Sequence, residues 1–316
     1  MRFGIMSFCR APYEEIASRF RLAEELGFAS AWVDDDILTP GYVDFEAWTL
    51  LAALARDTSR LRLGTLVAVP TFRHPSFLAA QVITLDHLSG GRAQLGFGAG
   101  GPPNNYGAVG QHEWPVRERT ERFEEQAAIL DRLLRGESVT FEGRHYRAHE
   151  AGLSAPVQRP RPPFVIAAHG ERGLRVAARH ADGWNSFGGQ PYKVAQDPTK
   201  RVSLIDAVAT TQQLNRRLDE ICREVGRDPA TLRRTVLAYR PQVDPLGSLD
   251  AFDEYVGRYR EIGIDEVAFY WPPLDNIFPR RRGSADPEPV FDPPLPVSAS
   301  QQATFERIAA ERIAGG

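Results

Sequence analysis

The sequence predicts a single parallel (β/α)8 barrel, and three observations carry that expectation. Apolar strand-like runs alternate with helical periodicities eight times along 316 residues, with no linker between them. The run Leu61–Val69 passes through Arg73-His74-Pro75 into Leu78, Val82, Leu85 and Leu88 at helical spacing. The junction Glu25-Leu26-Gly27-Phe28 before the second strand recurs as Glu261-Ile262-Gly263-Ile264 before the eighth, as a repeated αβ unit would. Alternation of this kind builds a parallel sheet, and barrels of about 250 residues plus insertions are common.

The first strand is Arg2–Ser7, and Pro12–Leu26 is a helix with Ile16, Phe20 and Ala23 on one stripe, closed by Gly27. Ser30–Val33 is the second strand, ending in Asp34-Asp35-Asp36, with a helix from about Phe45 to Arg56. Leu61–Val69 is the third. Pro75 then suits a first helical position and Gly90-Gly91 a helix end. Ala93–Phe97 runs into the glycine loop Gly98-Ala99-Gly100-Gly101, and Arg117–Arg135 is amphipathic. Val139–Tyr146, with Glu142-Gly143 at its centre, reads as an inserted hairpin. Phe164–Ala168, a helix to about Ala181, Gly183–Ser186, a helix over Val202–Val225, Leu232–Tyr239, a helix over Leu249–Ile262 and Glu266–Trp271 complete the ring. Gly188–Lys200 is expected to be a mobile loop and Pro272–Pro296 an extended tail, with a last helix near Gln301–Ile313.

Composition removes several function classes. A net charge of −3 without a basic block argues against nucleic acid or an anionic membrane as partner. Apolar runs stay well short of the roughly 18 residues a spanning helix needs. Cys9 and Cys222 lack CxxC spacing and read as free thiols, so a cytoplasmic protein is expected. The only lysines, Lys193 and Lys200, stand at no strand end, which leaves Schiff-base chemistry without a nucleophile.

Ligands of such barrels sit at the carboxyl ends of the strands. Those ends are Ser7 to Cys9, Asp34 to Asp36, Leu66 to Val69, Gly98 to Asn105, Ala168 to Gly173, Asn185 to Phe187, Tyr239-Arg240 and Tyr270-Trp271. Gly170, Glu171, Arg172 and Gly173 open a helix, and read either as a phosphate cradle or as a glycine turn. The three aspartates read as a base, as metal ligands or as a solvated cap; side-chain alternation lets at most two face the mouth. No HxH pair supports a metal, and none is expected. His145 and His149 fall on the insertion and its flank, His74, His87 and His180 lie near helix ends, and His112 comes after the fourth strand.

Trp32-Val33-Asp34-Asp35, Glu46-Ala47-Trp48, Leu63-Gly64-Thr65, Arg73-His74-Pro75, Thr84-Leu85-Asp86, Leu88-Ser89-Gly90-Gly91-Arg92, Leu95 to Gly100, Phe141-Glu142-Gly143, Pro156 to Pro160 and Ala181 to Asn185 stand in an order that resembles the bacterial-luciferase-like flavin and deazaflavin oxidoreductases, above all their coenzyme F420-dependent group. The resemblance is close over about Arg2 to Asn185. It implies a flavin-like ring across the barrel mouth, backed by a bulge with a non-proline cis peptide at about Leu66-Val67. Gly98, Ala99, Gly100 and Asn104 or Asn105 would touch ring and ribityl chain. Ala168, Gly170, Glu171, Arg172 and Gly173 would hold the phosphate, and Trp184 with Asn185 completes the pattern. Two departures stand out: Asp35-Asp36 replaces the Asp-His of many relatives, and Gly101-Pro102-Pro103 replaces an acidic or aromatic residue. The proton carrier is then sought in Asp36 beside Asp35, in His112 or in Tyr106.

The reaction implied is hydride transfer between F420 and a small organic substrate. With reduced FMN and oxygen it would be a monooxygenation, supplied by a flavin reductase partner. A homodimer through barrel helices is implied as well. Two other readings stay open: a non-catalytic cofactor-binding or partner subunit, from the two departures, and a metal-dependent hydrolase, from Asp34 to Asp36.

Overall fold

Eight strands close into a parallel barrel in the computed structural model of the chain, whose described residues are 1–35, 45–100, 106–188, 201–277 and 295–314. They are β1 (Arg2–Ser7), β2 (Ser30–Val33), β3 (Arg62–Ala68), β4 (Ala93–Gly98), β7 (Phe164–Ala167), β8 (Gly183–Ser186), β9 (Arg233–Leu237) and β10 (Glu266–Tyr270). Hydrogen-bonded neighbours run β1-β10-β9-β8-β7-β4-β3-β2, and β5 (Val139–Glu142) pairs antiparallel with β6 (Arg147–Ala151) outside the ring. The helices are α1 (Tyr13–Glu25), α2 (Ala47–Asp57), α3 (Pro75–Ser89), α4 (Val116–Leu134), α5 (Glu171–His180), α6 (Leu204–Glu224), α7 (Leu249–Glu261), the single turn α8 (Leu274–Ile277) and α9 (Ala299–Ile308). No helix among the described residues is long and apolar enough to cross a membrane.

Strand alternation sorts the core into two parts. Phe3, Ile5, Val33, Leu63, Leu95, Phe97, Ile166 and Phe269 point outward and pack under the helices. Met6, Trp32, Leu66, Val165, Leu237, Ala268 and Tyr270 form a separate cluster inside the barrel. At the amino-terminal end the Glu266 carboxylate accepts from the Ser30 hydroxyl at 2.7 Å and meets Arg2 at 3.3 Å, which compensates its burial.

Several of the quoted motifs tie elements together. His74 Nδ1 accepts the Ser76 N–H at the start of α3, and Gly90 ends that helix at φ 66°. Asp86 accepts the N–H groups of Val157 at 2.7 Å and Gln158 at 3.1 Å. The Arg92 guanidinium donates to the carbonyls of Ala55, Thr58, Leu61 and Ser89, which would otherwise lack partners at two element ends.

Two expectations need correction. The hairpin turns later than Glu142-Gly143 and its second strand begins only at Arg147, because Gly143 N–H closes onto the Tyr146 carbonyl at 2.9 Å. Glu125 fixes that turn by accepting the N–H groups of Arg144, His145 and Tyr146. The seventh barrel strand stops at Leu237, since Tyr239 N–H folds back to the Leu237 carbonyl and Arg240 adopts φ 47°. Most of the expected mobile loop and of the Pro-rich tail lies outside the described residues.

Candidate functional site

The mouth has two unlike sides. On the first, the β3–β4 pairing runs Leu63↔Ala93 and Thr65↔Leu95, then shifts so that Ala68 faces Phe97. The Leu66–Val67 peptide within this bulge is cis, at the position the resemblance implies. Opposite it, a Cβ on Gly98 would come within 2.9 Å of Val67 Cγ2, so only glycine lets backbone and bulge form one flat shelf. Ala99 and Gly100 continue the shelf, Gly100 at φ 76°. Gly101, Asn104 and Asn105 lie outside the described residues, as does Asp36.

The shelf leads to the start of α5. Gly170 is its N-cap and supplies no side-chain bond, so the N–H groups of residues 171 to 173 face outward, as an anion requires. A Cβ on Gly170 would meet nothing within 4 Å, whereas one on Gly173 would strike Ala168 Cβ at 2.8 Å. Ala168, Gly170 and Gly173 are thus brought together as backbone. The charged side chains beside them are turned elsewhere. Arg172 pairs with Glu124 of α4, Nε to Oε1 at 2.8 Å. Glu171 accepts from Arg217 of α6 at 2.6 and 2.9 Å, and from Arg175 at 2.8 Å. Trp184 does not reach the mouth: it is wholly buried under the helices, and its indole N–H donates to the Ala168 carbonyl at 2.7 Å. Its part is to position that turn.

Asp34 and Asp35 are both engaged in the frame. Asp34 Oδ1 accepts the Cys9 N–H at 2.8 Å. The Asp35 carboxylate has no exposed surface and is gripped by Arg73. Among the described residues no three His, Cys, Asp or Glu side chains converge as metal ligands would. His112 is exposed on the loop before α4, whose neighbour Gln111 donates to the Thr71 carbonyl at 3.2 Å. Tyr106 is buried edge-on against Trp114, centroids 5.2 Å apart.

The second side of the mouth was missed in the sequence as a unit. Phe8, Tyr270, Tyr239, Phe187 and His169 stand at the ends of β1, β10, β9, β8 and β7, five neighbouring strands. Successive ring centroids lie 5.6, 6.1, 6.1 and 3.8 Å apart. Each ring continues the inward-facing alternation of its strand, for example Met6 to Phe8 and Leu237 to Tyr239, and that parity is the signal that finds them. Phe187 N–H donates to His169 Nε2 at 3.3 Å, which puts the imidazole proton on Nδ1. Burial pushes this imidazole down to about 4, so at neutral pH it is an uncharged donor.

Residues 1–244 match the luciferase-like monooxygenase family. The chain is 32% identical over 259 residues to an F420-dependent glucose-6-phosphate dehydrogenase of Kineococcus radiotolerans, covering 79% of this chain and 76% of that one. An F420-dependent secondary alcohol dehydrogenase, solved with an F420-acetone adduct, shares the fold with a TM-score of 0.70 at 19% identity, over 85% of this chain and 92% of that one. A monooxygenase from Streptomyces bottropensis does so with 0.69 at 22%, over 100% and 99%.

Proposed function

Because this chain belongs to the luciferase-like monooxygenase family, we propose that it is an oxidoreductase that holds coenzyme F420 at the barrel mouth and acts on a small organic substrate. The observation that carries this reading is the continuity of two features: a flat shelf of Val67 and Gly98, and the uncapped start of α5. A planar ring with a phosphate-bearing tail needs both, and relatives that cover most of this chain are named for F420.

When bound, the deazaflavin supplies a carbon that gives or takes a hydride. Everything else falls to the protein. Leu66, Val67 and Gly98 form the dry side of the pocket. The N–H groups of residues 171 to 173 receive the phosphate, by backbone alone, since Glu171 and Arg172 are held by α6 and α4. Asp35 orients the end of β2 through Arg73. His169 offers its Nδ1–H to a ligand oxygen without bringing a charge into the pocket. Asp36, His112 and Tyr106 remain the proposed proton carriers, with Asn104 or Asn105 proposed against the ring and ribityl chain.

We further propose a homodimer. The outward face of α3 carries no Asp, Glu, Lys or Arg, and exposes Phe77 (64%) and Leu88 (42%) beside Ala80 and Thr84. Two large apolar side chains left in solvent on an uncharged helix face suit contact with a second copy. Two buried free thiols suit a cytoplasmic setting.

The same shelf accommodates FMN, and the fold is shared with a monooxygenase, so a reduced-FMN enzyme fed by a flavin reductase is the second reading. Anaerobic incubation with oxidised F420 and a panel of alcohols separates them. Substrate-dependent bleaching of F420 supports hydride transfer. Oxygen uptake with reduced FMN, and no bleaching, transfers the assignment to the monooxygenase. Binding without either reaction makes the chain a cofactor-binding subunit.

A further inference from the structure

We infer that the substrate carries an anionic group, a carboxylate or a phosphate, which docks on Arg201 in a cleft at the rim of the barrel mouth. The inference rests on the cofactor reading above, which puts the reacting ring in that mouth, and it names the substrate class of the same site.

Three chain segments build the cleft. Val202, just ahead of α6, bridges to Pro241 after β9, and Arg201 Nη2 donates to Asp275 Oδ1 of α8 at 2.7 Å. The segments that follow β9 and β10 are thereby clasped by the one that precedes α6, around a space of about 530 Å³ that opens to solvent. Tyr270 and Leu274 line this space and also pack on the apolar cluster inside the barrel, so the cleft borders the mouth. One arm of a molecule reacting in the mouth can lie there. The polar wall is Arg201, Arg240, Gln242, Asp244, Tyr270 and Asp275. Its formal charges balance, two arginines against two aspartates, so net charge selects nothing. What selects is one unpaired donor. Arg201 Nη1 is shielded from solvent and has no hydrogen-bond partner among the described residues. A shielded donor without an acceptor calls for one, and this donor belongs to a group that is charged at every working pH. Both carboxylates are engaged already and stand on the exposed rim: Asp275 on Nη2, and Asp244 through Oδ1, which accepts the Leu246 N–H at 2.9 Å. Turning Nη1 into the cleft breaks no bond of that nitrogen. An anionic oxygen is the acceptor that returns most, because a charge-assisted bond is roughly twice as strong as a neutral one.

The test is calorimetry on the protein loaded with oxidised F420, which reduces no ketone, with paired probes: 4-oxopentanoate against its methyl ester, and hydroxyacetone phosphate against hydroxyacetone. In at least one pair the anion is expected to bind about tenfold tighter than its neutral partner, and that pair identifies the group. Arg201→Gln is expected to bring the ratio close to one. Asp275→Asn breaks the same ion pair but keeps the guanidinium, and is expected to preserve the ratio or raise it. The F420 affinity of Arg201→Gln, read separately by fluorescence, is expected to stay within about twofold, because Arg201 lies on neither the shelf nor the start of α5. Equal affinities within both pairs, a ratio that survives Arg201→Gln, or a ratio lost equally in Asp275→Asn would overturn the proposal. So would a marked fall of F420 affinity in Arg201→Gln, which would give the arginine to the cofactor's own phosphate. Failure of the unaltered protein to bind F420, with an Arg201-dependent anion preference intact in the unloaded protein, overturns the cofactor reading and leaves the cleft standing.

Discussion

Arg73 holds both carboxylate oxygens of Asp35, Nη2 to Oδ1 at 2.9 Å with Nη1 on Oδ2, in a pair whose side chains are 9% and 0% exposed. The bond joins the end of β2 to the turn that starts α3, and the same turn is anchored by Gln126, which donates to the Arg73 carbonyl at 2.9 Å. The end of β2 and the turn that follows β3 are thereby fixed to each other. In this pair the Asp35 carboxylate is committed to holding Arg73.

Replacing one member should expose the cost of the other. Asp35→Asn leaves the Arg73 guanidinium nearly buried beside a neutral amide, with Glu46 at 3.5 Å as its remaining carboxylate. The expected loss is about 3–5 kcal/mol of unfolding free energy, the range for breaking a buried pair. Denaturant melts check it, and a loss below about 1 kcal/mol would reduce the pair to a surface ion pair in energetic terms.

His169 should give the fold a pH dependence of definite sign. Its folded value, near 4, lies below the ordinary 6.5, so between these the unfolded chain binds a proton that the native site refuses. Stability is then fully present above pH 6.5 and declines as pH falls to about 4. His169→Phe, which keeps a ring in the arc, is expected to flatten stability against pH in that window. An unchanged slope in urea melts across the window would assign the dependence to other groups.

How much of this was readable in advance differs from residue to residue. The barrel was readable because alternation and helical spacing are local properties, and most strand ends came with it, the exception being β9, where the chain turns after Leu237. The motifs were less direct. Arg73, Asp86 and Arg92 stood in recognisable order, yet they bridge elements distant in sequence and hold the frame. The pairing of the Glu171 and Arg172 side chains with Arg217 and Glu124 was not readable, because a helix start does not reveal which neighbouring helices supply partners. The aromatic arc required parity to be carried on past each strand. His169, which falls within the strand end Ala168 to Gly173, ends that arc.

Trp184→Phe should loosen the turn that carries the proposed phosphate site. The indole N–H is the Ala168 carbonyl's donor in a fully buried setting, so its removal is expected to cost about 1–3 kcal/mol in stability. Cofactor affinity should fall severalfold as the Ala168–Gly173 contact relaxes. Lost stability with unaltered affinity would make Trp184 a packing residue only.

The proposed dimer face gives a prediction of its own. Phe77→Glu places a charge at the most exposed apolar side chain on the outward face of α3, where a monomer gains solubility and a dimer loses its contact. Light scattering should then report a dimer for the unaltered chain and a monomer for the variant. A variant that stays dimeric would move the interface to another pair of helices.

The cofactor site is tested most directly by F420 fluorescence titration of the unaltered protein and of Gly170→Asp, with FMN titrated in parallel. A side chain at residue 170 meets nothing within 4 Å, and aspartate is a good N-cap, so this variant should fold at least as well as the parent. Its carboxylate would occupy the N–H groups of α5 and repel a phosphate. The account predicts tight F420 binding, weaker FMN binding, and loss of F420 affinity by tenfold or more in the variant, about 1.4 kcal/mol or greater. F420 binding that is absent from the unaltered protein, or untouched by the aspartate, would contradict it.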